Sequence, residues 1–175
     1  HDAHHRSRSD DQHRRRRVGV MRSELGADTR GVDDIASEIA DRVLALGVRV
    51  CTAESLTTGR IAAALGKARE ASMWFAGGVV AYTSEHCAEQ MARGAAELLR
   101  AEVAVAVTGA AGPEGAEGHP AGTVMLAVVG PDGAEVCTVQ FSGEPADVVE
   151  QTIRVALVSV LACLERLAAR TGAAR

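Results

Sequence analysis

Hydrophobic positions along this chain follow two spacings that take turns. Val32, Ile35, Ile39, Val43 and Leu46 recur every three or four residues, which predicts an amphipathic helix over 32–46. Gly47 follows at once, where a left-handed residue closes a last turn. Residues 48–52 then read as a short buried strand, and 61–65 as the start of a second helix. A charged connection occupies 66–72. Residues 77–82 read as a strand opened by two glycines, Gly77 and Gly78. Helical spacing returns over 87–99, with Met91, Ala95, Leu98 and Leu99 on one side.

The run Val103-Ala-Val-Ala-Val107 is apolar throughout and built of small residues, the pattern of a central strand covered on both faces. It runs into a glycine-rich loop over 108–118. Residues 122–129 and 135–141 alternate as two strands around Gly130-Pro-Asp-Gly133, the clearest hairpin signal in the chain. A closing helix spans 145–167, with Val149, Ile153, Leu157, Leu161 and Leu164 along one stripe. Helices alternating with strands, plus one hairpin, predict an α/β domain of three layers, α/β/α, with a mixed central sheet. In such sheets ligands sit beyond the carboxyl ends of the strands. The segments leaving those ends are 53–59, 82–86 and 108–115.

Composition narrows the picture. The 175 residues are 47% hydrophobic, enough for one core, and the aromatics are only Trp74, Phe75, Tyr82 and Phe141. Ala, Val, Leu and Ile must therefore fill the interior. No apolar run approaches the roughly 18 residues a membrane span needs, which predicts a soluble protein with no membrane partner. The net charge is −4, but residues 1–20 carry six Arg against three Asp and four of the six histidines. Residues 1–30 are accordingly expected to form a disordered Arg/His-rich leader, with Met21 a natural start, and 31–170 the folded domain. The acidic body offers no basic face for nucleic acid. Cys51, Cys87, Cys137 and Cys163 are widely spaced with no Cys-x-x-Cys pair, so reduced thiols in a cytoplasmic protein are expected, and no metal or other cofactor.

The chemistry concentrates in Cys51-Thr-Ala-Glu-Ser-Leu-Thr-Thr-Gly-Arg60, where a strand turns into a helix. Free N–H groups at a helix start favour negative charge, so a hydroxyl nucleophile there would have its oxyanion stabilised. Ser55 and Thr57 equally suit a plain N-cap, the simpler reading of the same residues. Gly109, Gly112 and Gly115 can bring backbone N–H groups to a phosphate, or serve as an ordinary connection. No Walker lysine follows, and Pro113 and Pro120 argue against the dinucleotide fingerprint.

Three segments together resemble the CinA C-terminal domain family. Thr52-Ala-Glu-Ser-Leu-Thr-Thr-Gly59 is similar to its Thr-Ala-Glu-Ser-Cys-Thr-Gly-Gly signature. Trp74-Phe75-x-Gly-Gly-Val-Val-Ala-Tyr82 and Ala104-Val-Ala-Val-Thr-Gly-Ala-Ala-Gly-Pro113 resemble the next two motifs in order, and Gly122-Thr-Val matches the strand after them. The resemblance implies a metal-independent serine amidohydrolase. Its reaction would convert nicotinamide mononucleotide (NMN) to the acid and ammonia in pyridine nucleotide salvage, within a three-layer, commonly homodimeric fold. Ser55 aligns with the family's nucleophile, with Tyr82 near it. Glu54, Thr57, Thr58 and Gly59 of the turn, and Thr108, Gly109 and Gly112 of the loop, would contact the nucleotide.

The chain departs from the family at three places. Thr58 replaces a glycine of the signature turn. The segment after Tyr82 is short and lacks the lysine thought to activate the serine; Lys67 sits on another loop, and His86 is the nearest substitute base. Gly143-Glu-Pro-Ala-Asp147 replaces an arginine-bearing helix start. A catalytically degenerate nucleotide-binding or scaffold homologue is therefore the alternative implied.

Overall fold

Strand β1 (Val50–Glu54) is buried along its whole length because it has a strand on each side and helices on both faces. In the computed structural model, which describes residues 28–81, 87–112 and 118–172, it is the second of five strands in the order β2-β1-β3-β4-β5. Helix α1 (Val32–Leu46) leads into it, with Asp33 and Asp34 in the first turn, where carboxylates complement the helix dipole. Gly47 closes α1 at φ 66°, donating its N–H to Val43 O, as the sequence pattern predicts. Val48 N–H also bonds Val43 O, and Arg49 N–H bonds the Glu102 carboxylate, so neither N–H joins the ladder, although Arg49 O accepts the Val103 N–H. This is why β1 starts at Val50, two residues later than expected, and carries Glu54 into the sheet.

Helix α2 (Arg60–Gly66) and the single turn α3 (Ala71–Trp74) connect β1 to β2 (Phe75–Val80), which pairs parallel with β1. The expected loop at 66–72 thus ends in helix, anchored by buried Trp74, whose indole N–H donates to Arg69 O. That anchor also starts β2 at residue 75 instead of 77. A register shift between Val50 and Cys51 absorbs the extra residue. Helix α4 (Ala88–Leu99) then returns past β1 to β3 (Val103–Gly109), parallel to β1 on its other side. The two crossovers run in opposite directions, so right-handed connections place α2 and α4 on opposite faces.

Strands β4 (Thr123–Gly130) and β5 (Gly133–Gln140) complete the mixed sheet as the antiparallel hairpin the sequence predicts, and α5 (Pro145–Gly172) runs beyond the expected residue 167. One core packs α1, α2, α3 and α5 on Val50, Val103, Val105, Val107 and Leu126. The other side is a smaller alanine face, with Ala53, Ala104, Ala106 and Ala127 meeting Ala88, Ala92 and Ala95 of α4. Of the expected apolar side of α4, Ala95 is buried and Met91 and Leu99 pack against this face, but Leu98 is 70% exposed, because it falls off the stripe of Ala88, Ala92 and Ala95 by about a quarter turn of helix. The expectations for residues 1–27, for Tyr82 and His86, and for Gly115 lie outside the described residues. Among the described residues, no helix is long and apolar enough to cross a membrane.

Candidate functional site

The carboxyl ends of three parallel strands meet around Ser55. Its N–H donates to Val107 O of β3 at 3.1 Å, while Ala81 N–H from the end of β2 donates to Glu54 O at 2.9 Å. The register pairs Ala53 with Ala106 and Glu54 with Val107, so Ser55 stands beside Thr108. By strand alternation both fall on the face of Ala53 and Ala106, the side covered by α4. Ser55 is 8% exposed and Thr108 7%. Neither hydroxyl has a hydrogen-bond partner among the described residues, yet no fully enclosed side-chain oxygen there is unpaired, so both oxygens reach solvent.

Glu54 falls on the opposite side, and its carboxylate is buried completely. Five donors converge on it. Thr57 Oγ1 (2.7 Å), Gly59 N–H (3.0 Å) and Ile61 N–H (3.0 Å) donate to Oε2. Thr52 Oγ1 (3.1 Å) and Ala62 N–H (2.8 Å) donate to Oε1. Two expectations change as a result. The N–H groups at the start of α2, expected to stabilise an oxyanion on Ser55, are bound to Glu54 instead. Nor is Ser55 or Thr57 the cap of α2: the N-cap residue is Gly59, no side chain caps it in the usual manner, and Thr57 donates to Glu54. Glu54, expected on the nucleotide, has its carboxylate committed inside the turn, and Thr57 is fully buried beneath it.

The turn keeps other donors. Thr58 N–H bonds Ser55 O and Arg60 N–H bonds Thr57 O. Among the described residues, the N–H groups of Leu56 and Thr57 bond nothing. Thr58 is exposed with φ 49°, and Gly59 follows at φ 91°. Thr58 therefore occupies a left-handed conformation that a β-branched residue adopts only under strain. The substitution of threonine for glycine at this point, visible in the sequence, has a physical cost in the backbone.

Gly109, at φ 150°, turns β3 out of the sheet where any Cβ would overlap the backbone of Thr123. Ala110 N–H to Thr123 O (2.9 Å) and Gly122 N–H to Ala110 O (2.7 Å) then pinch the base of the glycine loop, so the loop leaves and returns at one point. Gly112 lies exposed beyond that base. A cleft of about 300 Å³ opens beside it, lined by Ala111, Gly122, Gln140, Phe141, Glu144 and Pro145 among others. Glu144 lies at its edge, where Asp147 Oδ2 accepts the Glu144 N–H at 3.0 Å. Lys67 follows the last residue of α2, at the far end from the turn, and His119 is exposed in the loop.

The thiols stand apart from this site. Burial pushes the Cys51 thiol up to about 11 and raises that of Cys163 as well; Cys137 is buried and Cys87 exposed, and none of the four is in a disulfide. Among the described residues no group of three His, Cys, Asp or Glu side chains could hold a metal ion.

These features define a three-layer α/β domain with a solvent-reaching serine at the end of a central parallel strand, opposite a glycine loop. The chain belongs to the CinA C-terminal domain family, which it matches over residues 32–86 and 83–164. It is 33% identical over 159 residues to Protein YdeJ of Escherichia coli strain K12, an alignment covering 78% of this chain and 92% of that one. It is 39% identical over 153 residues to a CinA-like protein of Mycolicibacterium paratuberculosis, covering 72% of this chain but 34% of that longer protein. Among solved structures, the CinA superfamily protein KP700603 of Klebsiella pneumoniae superposes with a TM-score of 0.73 at 31% identity, covering 78% of this chain and 99% of that one. The competence/damage inducible protein CihA of Agrobacterium tumefaciens gives 0.71 at 32% identity, covering 79% and 99%.

Proposed function

We propose that this protein is a metal-independent amidohydrolase that converts NMN to nicotinic acid mononucleotide and ammonia, acting as a cytoplasmic homodimer. The observation that carries the reading is the unpaired, solvent-reaching hydroxyl of Ser55, beside Thr108 and the glycine loop. In this scheme Ser55 Oγ attacks the carboxamide carbon and gives its proton to the departing ammonia. Water then cleaves the acyl-serine to release the acid. The Leu56 and Thr57 N–H groups, which bond nothing else among the described residues, are the donors available for the tetrahedral oxyanion. Thr108, Gly109 and Gly112 hold the nucleotide, with Thr58 and Gly59 at its rim. Tyr82 is the second catalytic residue that the resemblance implies, and His86 is the candidate for the proton transfer that the family lysine would perform.

One observation favours a second reading, a nucleotide-binding homologue without turnover. Among the described residues, no lysine or histidine stands in the turn or at the ends of β1, β2 and β3. Losing the base of such an apparatus typically lowers the rate about 10⁴-fold. Ammonia release from NMN, compared with the Ser55→Ala variant, separates the two. A rate above the variant supports the amidase. Equal rates remove it, and thermal protection by NMN then supports binding alone.

A further inference from the structure

Glu54 is the one fully buried carboxylate among the described residues, and the Thr57 hydroxyl, Gly59 N–H and Ile61 N–H all donate to one of its oxygens. Its partners come from β1 (Thr52), the turn (Thr57, Gly59) and α2 (Ile61, Ala62), so a single side chain ties the last strand residue to a helix beginning six residues later. Ser55 is its immediate neighbour in sequence and points to the other face by strand alternation. A carboxylate is acceptor-only and can receive all five donors; an amide of the same shape turns an NH₂ toward some of them.

We propose that Glu54 is a positioning residue for Ser55: its carboxylate acts as a built-in anion that holds the turn closed on the α2 side. Substrate and oxyanion are thereby confined to the α4 side, where Ser55 and Thr108 keep their hydroxyls free. Two consequences separate this from substrate binding. Removal of the carboxylate leaves a pocket of donors that a small carboxylate can refill. Removal also displaces Ser55, while Thr108, Gly109 and Gly112, which make no hydrogen bond to Glu54, keep their hold on the nucleotide. Misplacing a reacting group by about 1 Å costs on the order of 100-fold in rate.

The assignment of a rate effect rests on the amidase reading, so the experiment has one arm that does not. Melting of Glu54→Ala and of the unaltered protein is followed with and without sodium formate. Formate should raise the melting temperature of Glu54→Ala by several degrees and leave the unaltered protein where it was. No rise, or an equal rise in both, overturns the proposal whether or not the protein turns over NMN. In the second arm, Glu54→Gln and the milder Thr57→Val, which removes one donor and keeps a variant available if Glu54→Gln fails to fold, are assayed for ammonia release. The expected result is a fall in kcat with KM for NMN unchanged within about twofold, larger for Glu54→Gln. A raised KM with kcat retained assigns Glu54 to the substrate and overturns the proposal. Absence of turnover in the unaltered protein removes the amidase reading alone, and the formate arm still decides the role of Glu54.

Discussion

A Cβ placed on Gly78 would overlap Oγ1 of Thr52, the same hydroxyl that donates to Glu54 at 3.1 Å. It would also press on Ala62 of α2 at 3.0 Å. The second glycine of β2 is therefore a packing requirement, transmitted through Thr52 to the turn that carries Ser55. Gly78→Ala should destabilise the fold by about 2 kcal/mol, the usual scale for overpacking a tight contact. Gly94, inside α4 with nothing near its missing Cβ, is the control. Gly94→Ala should stabilise by about 0.5–1 kcal/mol through helix propensity. Urea denaturation of both variants checks the contrast, and equal effects would contradict it.

The left-handed Thr58 gives a prediction of opposite sign. Its side chain is exposed and its φ is 49°, so the backbone strain has no buried contact to offset it. Thr58→Gly should stabilise by about 1 kcal/mol, and Thr58→Val should not. Chemical denaturation measures this directly. A loss of stability in Thr58→Gly would mean that the threonine is held by something other than its backbone.

Which of these relationships could be read from the residues alone follows from their range. Helix α1 with its Gly47 stop, the β4–β5 hairpin and the apolar β3 are set by neighbours within a few positions, and periodicity reports such neighbours faithfully. That Ser55 faces the loop at Thr108 was suggested by the family motifs and not by local spacing, since the two residues lie far apart in the sequence and meet through the β1–β3 pairing. Three features escaped because they depend on distant partners. The start of β1 depends on Arg49 bonding Glu102, fifty-three residues away. The buried face of α4 depends on the alanines of three strands, which make room for Ala92 and leave Leu98 outside. Glu54 was expected on the nucleotide because the family signature implies it. That it lies on the opposite face follows from β1 extending through residue 54, two residues past the strand end that hydrophobic spacing suggested.

Burial sets the behaviour of the thiols with pH. Desolvation raises the Cys51 thiol from 9.0 to about 11, so the folded state prefers the neutral form. Its stabilising effect is complete below pH 9, where the thiol is neutral in both states. The effect falls as the pH rises from 9 to 11, at up to about 1.4 kcal/mol per pH unit. Cys51→Ala should flatten the decline of stability across that window. At neutral pH a thiol reagent should modify exposed Cys87 first and reach Cys51 and Cys137 only on unfolding. Rapid modification of all four cysteines in the native protein would contradict the placement of β1 inside the sheet, between β2 and β3.

Ser55 and Thr108 allow function to be tested separately from folding. Their hydroxyls bond nothing in the fold among the described residues, so the fold loses no hydrogen bond when either is removed. Ser55→Ala and Thr108→Val should stay within about 0.5 kcal/mol of the unaltered stability. A serine serving as a helix cap would cost about 1 kcal/mol on the same substitution. Ligand binding should respond differently. If Thr108 gives one neutral hydrogen bond to the nucleotide, its loss should weaken binding about tenfold, which appears as a smaller rise in melting temperature with NMN. Stability unchanged and nucleotide protection diminished, in the same variant, is the combination expected of a residue whose free hydroxyl exists for a ligand. Destabilisation with protection intact would instead assign the pair to the architecture of the sheet edge.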